Sequence, residues 1–211
     1  MLKSVRNTLI SSVSAGIFIG FGSAAYIACE SKIAGTLLLA AAFALVAAMN
    51  MKLFTGRVGA LTYSFSKTRL AGTALCLFGN GVGAFLSGLL IRYIRPDLAE
   101  VCGAMCEGKA QQSYLQIFFS GLLCGMLIYS AFDIYRSEKS ILGLFFCVPM
   151  FMLCGFEHSV ADMFWFFLAG RKIPATLLFA LIAVLGNASG EILTALLKRF
   201  CKGEEKCKKQ E

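Results

Sequence analysis

The sequence predicts an all-α membrane protein: six transmembrane helices in two inverted three-helix repeats, with one broken helix in each repeat. Three observations carry this prediction: an apolar composition, six long stretches without charge, and two polar interruptions at matching places in the two halves. Hydrophobic residues make up 58% of the chain and charged residues 15%. Soluble domains average about 45–50% and about 25%, so a single soluble domain of this length is excluded.

The charge-free windows are 7–29, 33–51, 70–91, 110–132, 140–156 and 173–190. A bilayer core about 30 Å thick needs about 20 apolar residues in a helix, so six windows give six spans. Residues 1–200 then form one transmembrane domain, with repeats over about 7–95 and about 110–200, and 201–211 form a basic tail.

The net charge of +8 finds its explanation in topology. With both termini cytoplasmic, the inside holds Lys3, Arg6, Lys67, Arg69, Arg136, Lys139 and the basic tail from Lys198 to Lys209. The outside holds Lys32, Arg92, Arg95, Lys109, Arg171 and Lys172. Twelve against six obeys the positive-inside rule and places a multi-pass protein in the plasma (inner) membrane. No nucleic-acid partner is required. The first apolar run follows Lys3 and Arg6 as in a secretory signal, but it exceeds the 7–15 residues of a signal core. It reads as a retained span.

Of the nine cysteines, Cys76, Cys124, Cys147 and Cys154 lie in spans and serve as small apolar residues. Cys201 and Cys207 belong to the tail, while Cys102 and Cys106 occupy a long outer loop where a disulfide is conceivable. No spacing matches a metal site, and no cofactor is implied.

Two windows are interrupted. Lys52-Leu53-Phe54-Thr55-Gly56-Arg57 breaks the second, and an apolar piece over 58–65 follows it. Cys154-Gly155-Phe156-Glu157-His158-Ser159 breaks the fifth, before a piece ending at Phe167. Non-helical backbone at membrane depth persists only where protein buries it or a cavity hydrates it. Ser14-Ala15-Gly16 corresponds to Ser120-Gly121, and Gly79-Asn80 to Gly186-Asn187, at an offset of about 105 residues. A three-span unit used twice must invert, and paired broken segments in inverted halves point to a transport site. The glycines permit close helix packing, while Asn80 and Asn187 are placed to hydrogen-bond the freed backbone of the breaks.

His158, the single histidine, sits in the second break, and an intramembrane ionisable residue is a functional candidate; a satisfied core histidine is the alternative. An imidazole away from water resists charging, and an arriving anion favours the imidazolium. A weak acid would then cross the apolar stretches as a neutral species. Thr55 is the hydroxyl of the first break, positioned to bond the imidazole, to bond the solute, or to cap the half-helix near Arg57. Leu53, Phe54 and Phe151 supply apolar constrictions. Glu157 is expected on loop backbone amides.

The stretch Gly155-Phe156-Glu157-His158-Ser159-Val160-Ala161-Asp162-Met163-Phe164 resembles the signature of the formate/nitrite transporter family. Leu53-Phe54-Thr55-Gly56 resembles that family's other loop. Phe78-Gly79-Asn80, Gly186-Asn187 with Gly190, and the run from Ser14 to Gly20 are similar to its third, sixth and first helices. The resemblance implies an aquaporin-like fold, a homopentamer with one pore per protomer, and conduction of formate, nitrite or hydrosulfide, with proton coupling in some members. It makes His158 the central pore histidine and Thr55 its partner. Leu53 and Phe54 fall at the cytoplasmic constriction, Phe151 at the periplasmic one, and Lys109 at an anion-attracting vestibule lysine.

Three positions depart from that pattern. Lys52 stands where the family carries an acid, and Asp162 where it carries asparagine. The two either compensate each other's charge or face water separately. Gly125 stands where some members place a pore-lining asparagine. A neutral-solute pore is a rival reading; its paired Asn-Pro-Ala loops have no counterpart, since Pro96, Pro149 and Pro174 lie outside both breaks. An intramembrane enzyme using His158 and Glu157 lacks a nearby nucleophile or metal set, so no enzyme is expected. A non-conducting structural subunit remains the other alternative.

Overall fold

Among the described residues, length and apolar content dictate four helices able to cross a bilayer, at Lys3–Ala28, Lys67–Ile94, Tyr114–Glu138 and Thr176–Cys201. The computed structural model describes residues 2–171 and 173–208. Lys172 and Lys209 lie outside the described residues, as do the side chains of Pro174 and Cys207. The described chain forms α1 (Leu2–Ala28), α2 (Lys32–Ala48), a 3₁₀ segment (Val58–Thr62), α3 (Lys67–Ile94) and α4 (Pro96–Ala110). It continues with α5 (Tyr114–Glu138), α6 (Leu142–Leu153), α7 (Ser159–Leu168) and α8 (Ile173–Lys208).

Local chemistry sets the boundaries. Ser31, Ser66 and Ser113 cap α2, α3 and α5, each hydroxyl accepting from a backbone N–H three residues on. Ser113 and Gln116 complete a capping box. Pro96 opens α4 at a first-turn position, where its missing N–H costs nothing.

The four long helices pair. α1 packs along α3 and α5 along α8, and small residues set the approach. A Cβ at Gly125 would stand 2.8 Å from the Asn187 carbonyl carbon, and one at Gly16 would stand 3.0 Å from that of Asn80. The short α2 and α6 pack against each other between these pairs. Direction follows from the contacts. Thr8 and Ser11 of α1 touch Lys52, and Tyr26 reaches Trp165 of α7. Ser120 of α5 touches Gly155 and Glu157, and Arg136 reaches Gly56. So α1 runs from the first break toward the second, and α5 runs the opposite way.

The surface is inverted relative to a soluble protein. Ile10, Phe78, Leu90, Leu115, Phe146 and Leu185 are exposed along the helices, whereas Ser12, Thr36, Asn80, Glu157, His158, Asp162, Asn187 and Glu191 are buried. Lipid can solvate the first set but not the second.

Several expectations need correction. The helices in the second and fifth windows are short: α2 has 17 residues, at the lower limit for a span, and α6 has 12, too few to cross alone. The piece after the first break is five residues of 3₁₀ helix rather than an apolar run to Phe65. The outer loop is the helix α4, and α8 extends to Lys208. Cys102 and Cys106 are free thiols 3.9 Å apart, one turn apart on α4.

Candidate functional site

Each break is a stretch of backbone stripped of helical partners, and each must find others. Asn80 serves the first. Its Nδ2 donates to the carbonyls of Ser12 (2.8 Å) and Lys52 (2.9 Å), and its Oδ1 accepts from Phe54 N (2.7 Å). Asn187 serves the second in the same way, donating to Gly121 O and Glu157 O and accepting from Ser159 N (2.9 Å).

The first break holds a further clasp. Glu191 of α8 is fully buried; it accepts from Gly56 N (2.5 Å) and Gly59 N (3.1 Å), while Arg136 Nη1 donates to Gly56 O (2.7 Å). Gly56 sits at φ +92°, a left-handed turn that favours glycine. Sequence reasoning missed Glu191. The signal was available, since a carboxylate directly follows the last charge-free window, in a helix that continues past it.

The breaks meet at the imidazole. His158 is fully buried at the N-cap of α7, where Nδ1 accepts from Ala161 N (3.2 Å). An accepting Nδ1 leaves the ring proton of a neutral imidazole on Nε2, which then donates to Thr55 Oγ1 at 2.7 Å. Thr55 therefore bonds the imidazole and does not cap the segment behind it; that segment has no side-chain cap. Phe43 meets the ring edge-on at 5.0 Å between centroids, and Phe151 stacks on it at 5.8 Å. No sequence signal singled out Phe43.

A cavity of about 150 Å³ runs to Thr55, lined by Ala47, Leu53, Gly56, Arg57, Phe132 and Arg136 among others. Leu53 lies on it. Phe54 does not: its ring packs with Val58 and Val184 in a separate apolar cluster, because alternate residues of an extended break point opposite ways.

On the other side of His158 stands a charged cluster. Lys109 of α4 pairs with Glu157 and with Asp162 (3.0 Å), and its ammonium lies 5.0 Å from the Trp165 ring centroid. Gln112 Nε2 donates to the other Glu157 oxygen (2.7 Å). Burial works against the charge on Lys109, but Asp162 and Glu157 outweigh it and raise its pKa.

Four readings change here. Lys109 is held by two carboxylates, so its charge is not free to draw anions in the way the resemblance implies. Glu157 bonds Lys109 and Gln112 rather than loop amides. Lys52 and Asp162 do not compensate each other, because they lie by opposite breaks. Lys52 Nζ donates to Thr8 Oγ1 (2.6 Å), while buried Asp162 takes Lys109. Gly125 faces the backbone of α8, where a side chain has no room.

Comparison with known proteins agrees with this architecture. The sequence profile described as "Formate/nitrite transporter" matches residues 1–200. The chain is 30% identical over 179 residues to an uncharacterized transporter, YwcJ of Bacillus subtilis (strain 168), covering 74% of this chain and 70% of that one. It is 23% identical over 189 residues to the formate channel FocB of Escherichia coli (strain K12), covering 77% and 66%. Among solved structures, one described as an "FNT family ion channel" superposes with a TM-score of 0.83 at 22% identity, covering 95% of this chain and 96% of the other. A "Pentameric formate channel with formate bound" superposes at 0.74 and 21%, covering 99% of each.

Proposed function

Since the chain belongs to the formate/nitrite transporter family, a family of transport proteins and not of enzymes, we propose that it conducts a small monovalent anion of the formate, nitrite or hydrosulfide class. The pathway runs from the cavity at the first break, past Leu53, to Thr55 and His158. The observation that carries this reading is the bond between Thr55 Oγ1 and His158 Nε2 at 2.7 Å, on an imidazole that two aromatic rings contact.

The chemistry follows from hydrogen-bond accounting. With Oγ1 accepting from Nε2, the Thr55 hydroxyl hydrogen remains available to an anion in the cavity. That anion electrostatically favours the imidazolium. The ring takes that extra proton from the aqueous entry side and passes one through the hydroxyl to a weak-acid anion, so it ends neutral as it began. The resulting neutral acid crosses the apolar region around Phe43 and Phe151 at far lower cost than an ion. Conduction is in this way linked to protons.

The opposed directions of α1 and α5, together with the paired Asn80 and Asn187 clasps, support two inverted three-helix repeats within residues 7–95 and 110–200. A homopentamer in the plasma (inner) membrane, with both termini cytoplasmic, accords with the charge distribution and with the pentameric relative. Liposome uptake of formate, nitrite, hydrosulfide and acetate across pH tests the proposal, with His158→Asn as the control. The wild-type protein should take up at least one small anion faster as the pH falls, and the variant should lose that dependence. Equal uptake by both at every pH would end the proton-linked reading, and no uptake of any of them would end the transport reading.

A further inference from the structure

A second cleft, of about 190 Å³, opens where α1, the first break and α3 meet. Its polar lining is Thr8, Lys52, Arg57, Arg69 and Thr73, three cations and two hydroxyls, with no carboxylate. The nearby acids are already committed: Glu191 holds the Gly56 and Gly59 amides, and Asp133 pairs with Lys198. The cations retain unused donors. Lys52 Nζ spends one on Thr8 Oγ1, and Arg69 turns Nη1 toward Ser64. Arg57 has no side-chain hydrogen bond or ion pair among the described residues. Three like charges around one cavity repel unless an anion sits among them. The cleft also lies beside the first turns of α3, whose N-terminal end adds to the positive potential.

We infer that this cleft binds a multivalent oxyanion of phosphate type, and that its occupancy slows the flow of monovalent anions to Thr55. A dianion matches the three cations better than a single charge does, and tetrahedral oxygens can take several converging donors at once. The link to the pathway is Arg57, which lines both this cleft and the cavity that reaches Thr55. A bound dianion neutralises Arg57 and so removes a charge that gathers anions at the mouth. The binding half stands on the cleft alone. The flow half rests on the transport reading above.

Free phosphate and a lipid headgroup share this chemistry, and the experiment separates them. In detergent, phosphate at fixed ionic strength should raise the unfolding temperature of the full chain. Arg69→Gln and Lys52→Met should each weaken phosphate binding roughly tenfold, as loss of a charge-assisted hydrogen bond implies. Gly103→Ala, on the distant α4, should leave binding unchanged. Formate flux is then measured in phosphatidylcholine liposomes with phosphate on both faces, and in liposomes containing phosphatidic acid without phosphate. Slower flux in the first assigns the site to free phosphate, and in the second to a headgroup, provided that Arg69→Gln relieves it. A phosphate-induced shift of equal size in wild type, Arg69→Gln and Lys52→Met overturns the site. Flux unaffected in both liposome types, with binding intact, overturns the link to flow. Absence of flux under every condition counts against the transport reading, and the detergent measurement still decides the cleft.

Discussion

Removing the Glu191 carboxylate should unfasten the first break and destabilise the whole fold. The side chain is fully buried and accepts from Gly56 N at 2.5 Å and Gly59 N at 3.1 Å. A hydrogen bond to a charged group contributes about 1.5–3 kcal/mol, and a buried donor left without a partner costs about 1–3 kcal/mol. Glu191→Ala strands two N–H groups, so the expected loss is about 3–5 kcal/mol. Arg136 keeps the Gly56 carbonyl satisfied in the variant, which confines the damage to the donor side. Glu191→Gln retains one acceptor oxygen and turns an NH₂ toward the other amide, for an intermediate loss of about 1–3 kcal/mol. Trp165 is the single tryptophan of the chain and is buried, so its emission reports unfolding in detergent against a rising SDS fraction. The order wild type, Gln, Ala should appear in both the midpoint and the formate flux. An Ala variant with a wild-type midpoint would show that the clasp is dispensable and the reasoning wrong.

Thr55→Val keeps the shape but leaves the His158 Nε2 proton without its acceptor; the expected cost is about 1–3 kcal/mol, with flux falling further than stability, and wild-type flux in liposomes would refute the pairing. Gly125→Ala forces a methyl to within 2.8 Å of the Asn187 backbone, an overpacking worth about 1–3 kcal/mol, whereas Gly103→Ala meets nothing within 4 Å and should be neutral or mildly stabilising in the same unfolding assay. Lys109→Met leaves buried Glu157 and Asp162 without their cation and should cost about 3–5 kcal/mol. Because the Lys109 pKa is raised from 10.5 in the fold, its stabilisation is complete below that value and fades only as pH climbs through the higher folded one. The gap between Lys109→Met and wild type should therefore not narrow from neutral to mildly alkaline pH, and a gap that closes in that window would show that Lys109 is not held charged.

The legible part of the site is the part built on chemical exceptions. His158 stood out as a lone imidazole among apolar residues, and Thr55 as a hydroxyl beside glycine. The repeated Gly-Asn pairs pointed to the asparagines that hold the two breaks. Partners were harder. The carbonyls and amides that Asn80 and Asn187 serve follow from the need to satisfy freed backbone, but the cation of Asp162 did not. Lys109 lies 53 positions away, and nothing local distinguishes it from Lys52.

What the sequence by itself determined was the solvent and the places where the helices stop. Lipid admits only backbone that satisfies itself, so apolar runs of sufficient length become helices, and polar residues beside glycine become breaks. Tertiary structure alone decided how those pieces are joined. It made a helix of the outer loop, turned Phe54 away from the cavity, brought Phe43 to the imidazole and set Glu191 under the Gly56 turn. The physical reason is that hydropathy is a property of each residue along the chain, whereas charge pairing and ring contacts depend on which helix faces cross, and close packing at glycines such as Gly16 and Gly125 fixes those crossings.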